Sequence, residues 1–296
     1  MEETVAATRD RWLAAEGAPA RWGLRVVPIL IVLVTAFAVT AAVVISDLTI
    51  DYLAWDSRAY YDALRSAEPY AGASVGEIGS FLYPPPFLQV LGPLGELPWP
   101  LFLFGWTAAL AAAAVAMLRR VPRRHRELLP LLAILAGADI WAGNINLFLA
   151  FGAVTAVTYP AAWAALALTK VTAGIGALWH GFRGQWPEFG LAVLVTALGA
   201  ALSFVAAPAL WGDWLSIVFG ESPSGLYATA LPVPLFVRLP AAVVLLWLAA
   251  RGGRPWLVPV ACMVALPVIW FNGLSMLLGA AALLDHPREA DSTTSG

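Results

Sequence analysis

Two kinds of residue in this sequence have the type and setting for chemistry: carboxylates at Asp51, Asp56 and Asp139, and a single lysine, Lys170. Every other cation among the 17 Lys and Arg residues is arginine, so the chain uses Arg wherever a positive charge suffices. A lone lysine in an apolar stretch points to a need for a compact ammonium. Charge in such a stretch is costly and usually functional, and the natural ligand of an ammonium at a membrane face is a phosphate. The competing reading is a lysine at a helix end whose stem snorkels to water.

Asp51 and Asp56 follow the first long apolar run. A carboxylate at such a low-dielectric edge can serve as general base for a hydroxyl. Asp56 also precedes an amphipathic segment and would make a good N-cap for it. Asp51 has no cap position, and its bland alternative is a solvated loop acid. Asp139 lies near the end of a short apolar run, where an acid is functional by default or simply bonds to Asn144 or Asn146 in the adjoining turn.

Arg58, Arg65 and Arg238 could assist a phosphate, although arginines on an interfacial helix more often touch lipid headgroups. The histidines, His125, His180 and His286, all fall on the opposite side of the membrane from the acidic loop in the map below. With no histidine on the loop side and no Asp-x-Asp, a tight protein-only metal site is not expected, and no cofactor is implied. The single Cys262 sits in an apolar run, which excludes an internal disulfide and any CxxC site.

These residues need a scaffold that works in lipid. The chain is 60% hydrophobic and 12% charged, against about a quarter charged in soluble proteins. A net charge of −2 without a basic domain gives no reason to expect nucleic acid as a partner. Residues 25–46 and 99–118 are apolar for about 20 residues each, enough to cross a bilayer. A cleaved signal peptide would have an apolar core about half that length, so 25–46 reads as an uncleaved anchor. Between them, residues 47–98 form the longest polar interval. Within it, 56–68 places Tyr60, Ala63, Leu64 and Ala67 on one face, the spacing of a helix lying on a membrane surface. Tyr83-Pro84-Pro85-Pro86 then holds the backbone extended.

Five arginines between Arg119 and Arg126 close the second span and mark a cytoplasmic loop. That puts the N-terminus inside and 47–98 outside. Shorter apolar runs follow at 128–142 and 145–158, joined by a Gly143-Asn144 turn, and at 161–168 and 171–181, hinged at Thr169-Lys170. Spans at 186–207, 236–250, 256–271 and 274–284 complete the map, with 208–234 as a second external loop. Arg58, Arg65, Lys170 and Arg238 are its only external cations. The expected fold is an all-α integral membrane bundle of about eight to ten transmembrane helices. It would comprise a cytoplasmic segment 1–24, one transmembrane domain 25–285 with 47–98 as external catalytic loop, and a disordered cytoplasmic tail 286–296.

A family resemblance rests on an ordered set of motifs. Asp51-Tyr52 with an aromatic after it, the amphipathic segment, Pro69-Tyr70, Tyr83-Pro84-Pro85-Pro86 and Gly92-Pro93-Leu94 with Leu97-Pro98 come first. Gly143-Asn144-Ile145-Asn146, Leu168-Thr169-Lys170, Arg183-Gly184-Gln185-Trp186 and Pro267-Val268-Ile269-Trp270 follow. Together they resemble bacterial polyprenyl-phosphate-mannose-dependent mannosyltransferases of the GT-C class, with this chain as a short member. The resemblance implies a bacterial plasma-membrane enzyme that moves a sugar, mannose, from a polyprenyl-phosphate donor. The acceptor would be a hydroxyl of a lipid-linked or cell-envelope glycan at the extracytoplasmic face. It also implies inversion and an aspartate after the first span as base, at the position of Asp51. Lys170 would meet the donor phosphate, with Tyr83, Asn144 and Asn146 in the surrounding motifs.

Two other classes make different demands. A transporter would more often show internal repeats and paired broken helices, and no repeat is visible here. A non-catalytic assembly protein would have no need of Lys170 or the acidic loop.

Overall fold

A computed structural model describes residues 27–43, 53–73, 79–220 and 233–285. The N-terminal segment, Asp51 and the C-terminal tail lie outside the described residues. Among those described the chain is all-α, with thirteen α-helices, short 3-10 turns and no strand. This is the fold class that continuous apolar runs of about 20 residues call for, because a helix satisfies its backbone polar groups internally in lipid.

Helix α1 is Val27–Val43, and α2 (Trp55–Arg65) follows. Next come α3 (Pro85–Leu91), α4 (Trp99–Leu118), α5 (Leu129–Ala142) and α6 (Asn146–Ala156). The short α7 (Trp163–Ala167) and α8 (Leu178–Phe182) flank a 3-10 segment, Val171–Ala177. After them lie α9 (Trp186–Ala206), α10 (Pro208–Gly220), α11 (Leu235–Gly252), α12 (Leu257–Val264) and α13 (Leu277–Ala282). Helices α3, α4, α5 and α9 carry proline in their first turn. There the missing N–H has no intrahelical acceptor to lose, and the fixed φ favours the start.

Helices α4, α9 and α11 are long and apolar enough to cross a membrane. Leu191, Leu194, Leu198, Leu202 and Val205 on α9, and Phe236, Val244 and Trp247 on α11, are exposed. Such apolar faces on membrane-length helices suit contact with lipid. The elements between α4 and α9 are shorter. The five residues of α7 rise only about 8 Å, so α7 and the Val171–Ala177 segment form a shallow hairpin with Lys170 at its bend.

Three local expectations are corrected. Residues 208–220 are not loop but α10, because Leu210, Trp211, Trp214 and Ile217 recur at helical spacing; Trp214 is buried and donates to Leu82 O at 3.1 Å. Residues 256–271 are not one continuous helix. α12 stops at Val264, and a 3-10 turn, Phe271–Met276, begins only after an irregular stretch containing Pro267. Finally, α2 ends at Arg65, where Ser66 is extended, so Ala67 is exposed and off the buried face.

Helix α2 has one face buried, and it packs on the protein's own side chains. Tyr60 meets Phe81, Tyr83, Phe87 and Trp106 with ring centroids 5.1–6.4 Å apart. Edge-to-face pairs of this kind each add about 0.5–1.5 kcal/mol beyond area burial. Tyr61 Oη donates to Leu97 O at 2.9 Å and fastens the same helix to the turn before α4.

Candidate active site

The site is built on the end of α5. Gly143 has φ 70°, and the N–H groups of Gly143 and Asn144 donate back to Ile140 O and Asp139 O, each at 3.1 Å. This is the left-handed glycine ending that satisfies the last helical carbonyls. The Gly143 carbonyl in turn accepts from Trp106 Nε1 at 2.8 Å and Ser57 Oγ at 3.2 Å. Ala54 N donates to Trp141 O at 2.7 Å. Helices α2, α4 and α5 therefore converge on one turn.

That convergence sets Asp56 beside Asn144, whose Nδ2 donates to Asp56 Oδ2 at 2.6 Å. Asn144 Oδ1 accepts from the backbone N–H of Ile145 at 2.7 Å, which fixes the amide. Asp56 is not the N-cap of α2. Ala54, with φ 59°, holds that position, and Asp56 lies in the first turn with its carboxylate turned to α5. An acid there is favoured by the helix dipole.

Across the turn, Asp139 is fully buried and accepts from Asn146 Nδ2 at 3.0 Å and from Leu147 N at 2.9 Å. The carboxylate thus satisfies an orphan N–H in the first turn of α6. Asn146 Oδ1 accepts from Lys170 Nζ at 3.0 Å. The ammonium also stands 5.5 Å from the ring centroid of Tyr83, whose hydroxyl shares a 2.7 Å bond with Tyr60. Tyr70 Oη donates to Tyr83 O at 2.8 Å and holds the Tyr-Pro-Pro-Pro segment in place. One polar cluster at one end of the bundle therefore holds Asp56, Asp139, Asn144, Asn146, Lys170 and Tyr83.

Burial pushes the Asp56 carboxyl up from the ordinary range to about 6, with the Asn144 bond and the Lys170 charge holding it down. A carboxylate at that value is mainly ionised at neutral pH and is a stronger base than a solvated aspartate. Lys170 commits one of its three donors to Asn146, and its geometry leaves donors for an incoming anion.

The three arginines lie apart from this cluster. Arg58 pairs with Asp62 at 2.9 Å, both side chains being 55% exposed, and its guanidinium sits 5.2 Å from the Trp99 ring. Arg65 Nη1 donates to Gly95 O at 2.8 Å. Arg238 is buried, and its guanidinium donates to the carbonyls of Val233, Val264, Leu266 and Pro267 at 2.5–2.9 Å. Asp51 lies outside the described residues. Among the described residues no group of three His, Cys, Asp or Glu side chains is gathered closely enough to hold an ion. Ser57, Tyr60 and Trp106 build the site without having been singled out for it; only Gly143, as a glycine beside two asparagines, hinted that something packs tightly there.

Compared with models of known protein families, residues 81–285 match Glycosyltransferase family 87. The matched span takes in Tyr83, Asp139, Asn144, Asn146, Lys170 and Arg238 and begins after α2. No curated protein and no solved structure matches the chain. With more than half of its length matched, and a lipid-facing helical fold around that span, the chain belongs to glycosyltransferase family 87 and is a membrane glycosyltransferase.

Proposed function

We propose that this glycosyltransferase moves mannose from a polyprenyl-phosphate donor to a hydroxyl of a lipid-linked or cell-envelope glycan, at the extracytoplasmic face of a bacterial plasma membrane. The observation that carries the reading is the gathering of one ammonium and one carboxylate on a single turn: Asn144 holds Asp56 at 2.6 Å and Asn146, two residues on, holds Lys170 at 3.0 Å. A donor whose leaving group is a phosphate needs the first, and an acceptor hydroxyl needs the second. The lipid carrier follows from orientation. If the arginines of 119–126 are cytoplasmic, the cluster faces away from the cytosol, where nucleotide sugars are confined.

In this reading the acceptor O–H gives its proton to Asp56 as its oxygen attacks the anomeric carbon. The bond from that carbon to the phosphate oxygen breaks, and the departing phosphate carries the electron pair. Lys170 meets the charge that develops there, which is where preorganised electrostatics count most. Asn146 and Asp139 hold the ammonium at its station. One displacement inverts the anomeric centre. Among the described carboxylates we assign the base to Asp56, which is tied to the turn that also anchors Lys170, while both oxygens of Asp139 already accept from Asn146 and Leu147.

The test is transfer by the purified chain in lipid nanodiscs, offered radiolabelled polyprenyl-phosphate mannose or a nucleotide sugar. Transfer from the lipid donor alone is expected. Turnover of the nucleotide sugar with none from the lipid donor would overturn both donor and orientation.

A further inference from the structure

At the opposite end of the bundle from the Asp56–Lys170 cluster, a cavity of about 360 Å³ is lined by Arg120, Val154, Thr158, Ala282, Leu283 and Asp285. It lies where the C-terminal ends of α4, α6 and α13 come together, since Arg120, Thr158 and Leu283 each fall just beyond one of them. Helix C-termini by themselves favour cations. Here the sign is reversed by five arginines between Arg119 and Arg126, set against Glu127 and Asp285 on the adjoining described segments.

The lining divides by chemistry. Val154 and Leu283 are buried and Ala282 half-buried, making an apolar floor, while Arg120, Thr158 and Asp285 are exposed at the rim. Asp285 is paired with Arg124, whose guanidinium donates to its carboxylate. Arg120 forms no ion pair among the described residues. The local count of Arg120 and Arg124 against Asp285 leaves one positive charge at the mouth. The volume is at the small end of ligand sites, which suits a headgroup better than a whole lipid.

We propose that this cavity binds the headgroup of an anionic phospholipid whose phosphodiester carries a polyol, such as glycerol or inositol. The single negative charge of the diester matches the guanidinium of Arg120, the one cation in the cavity lining, which can engage phosphate oxygens through two N–H groups. Asp285 and Thr158 then accept from the polyol hydroxyls. A phosphate monoester fits worse, because its second charge would face the Asp285 carboxylate. The apolar floor meets the glycerol–acyl boundary. This site is independent of the transfer reaction and does not share residues with it.

The experiment uses the full chain, delipidated in detergent and titrated with phosphatidylglycerol, phosphatidylinositol, phosphatidic acid or soluble glycerol phosphate, with bound molecules counted by native mass spectrometry. One phosphatidylglycerol or phosphatidylinositol should be held in preference to phosphatidic acid. Arg120→Gln should weaken that binding about tenfold or more, as loss of a charged hydrogen bond does, while Arg119→Gln should leave it nearly unchanged. Arg120 is exposed, so its loss should not disturb folding, and unchanged sugar transfer by Arg120→Gln checks this. Equal effects of the two arginine variants would reduce the site to diffuse charge and overturn it. Equal binding of phosphatidic acid would overturn the polyol, and capture of glycerol phosphate as tightly as the lipid would overturn the lipid.

Discussion

Ser57 Oγ donates to the carbonyl of Gly143 at 3.2 Å, across 86 residues of sequence, and the space between them has no room for a methyl group. A Cβ built on Gly143 would stand 1.8 Å from Ser57 Oγ. The same residue has φ 70°, a conformation that costs a non-glycine residue about 1–2 kcal/mol before any clash. Gly143→Ala should therefore lower both folded yield and thermal stability and displace α2 from the turn. Ser57→Ala should cost only about 1 kcal/mol. The pair Ser57→Gly with Gly143→Ala should recover part of the yield, because the clashing side chain is gone. A Gly143→Ala protein that melts like the wild type would show that α2 does not seat here.

Asp56 sits in this seat, and its proposed role as base predicts a rate loss of about 10²–10⁴ for Asp56→Asn. Asn cannot take a proton but keeps the shape, so expression and melting should change little. Single-turnover transfer by Asp56→Asn and Asp51→Asn, measured side by side, decides between the two carboxylates. A loss confined to Asp51→Asn would move the base there. The pH profile gives a second check. With Asp56 raised to about 6 in the fold, the rate should fall as pH drops through about 6, where the carboxylate gains its proton. Stability should run the other way. Between 3.8 and about 6 the native state holds the proton that the unfolded chain has lost, so stability declines as pH rises through that window.

Lys170→Met removes a charge-assisted hydrogen bond worth roughly 1.5–3 kcal/mol, and donor use should fall about ten- to a hundredfold. Lys170→Arg should recover only part of this, since a planar fork does not replace a compact ammonium. Asn146→Ala should loosen Lys170 without removing its charge, producing a smaller loss. Initial rates against donor concentration separate the three. Normal donor use by Lys170→Met would leave the lysine as a snorkelling residue at the hairpin bend.

Topology can be read by labelling. In a Cys262→Ala background, Glu68→Cys and Arg123→Cys place one thiol near each end of the bundle, both at exposed positions. An impermeant reagent added to intact cells should modify the first and spare the second. The reverse pattern would turn the Asp56–Lys170 cluster toward the cytosol and give it access to nucleotide sugars.

What was legible in the sequence was local. The Gly143-Asn144 turn and the bond between Asp139 and Asn146 span a few residues and follow from residue type alone. The shallow hairpin with Lys170 at its bend was readable because its two arms are too short to cross lipid. The partners of Asp56 and Lys170 were not readable. Asn144 is 88 residues from Asp56, and Asn146 is 24 from Lys170, so only tertiary packing could pair them. Asp56 read as a cap because its type favours that role, yet the chain enters α2 through a left-handed Ala54 and frees the carboxylate for α5. Residues 208–220 read as loop because Pro208, Asp213 and Gly220 punctuate them, while their aromatic spacing made α10.

Arg238 read as a free external cation, and its burial has a consequence for how the molecule is assembled. The carbonyls of Val264, Leu266 and Pro267 have no helical partner after α12 stops, and lipid offers none. The guanidinium that receives them belongs to α11, which is synthesised earlier. Without Arg238 these carbonyls would be left unpaired in lipid, at a cost of several kcal/mol each. A defect at Arg238 would thus be felt during biogenesis, as chains retained or degraded before they ever meet a substrate.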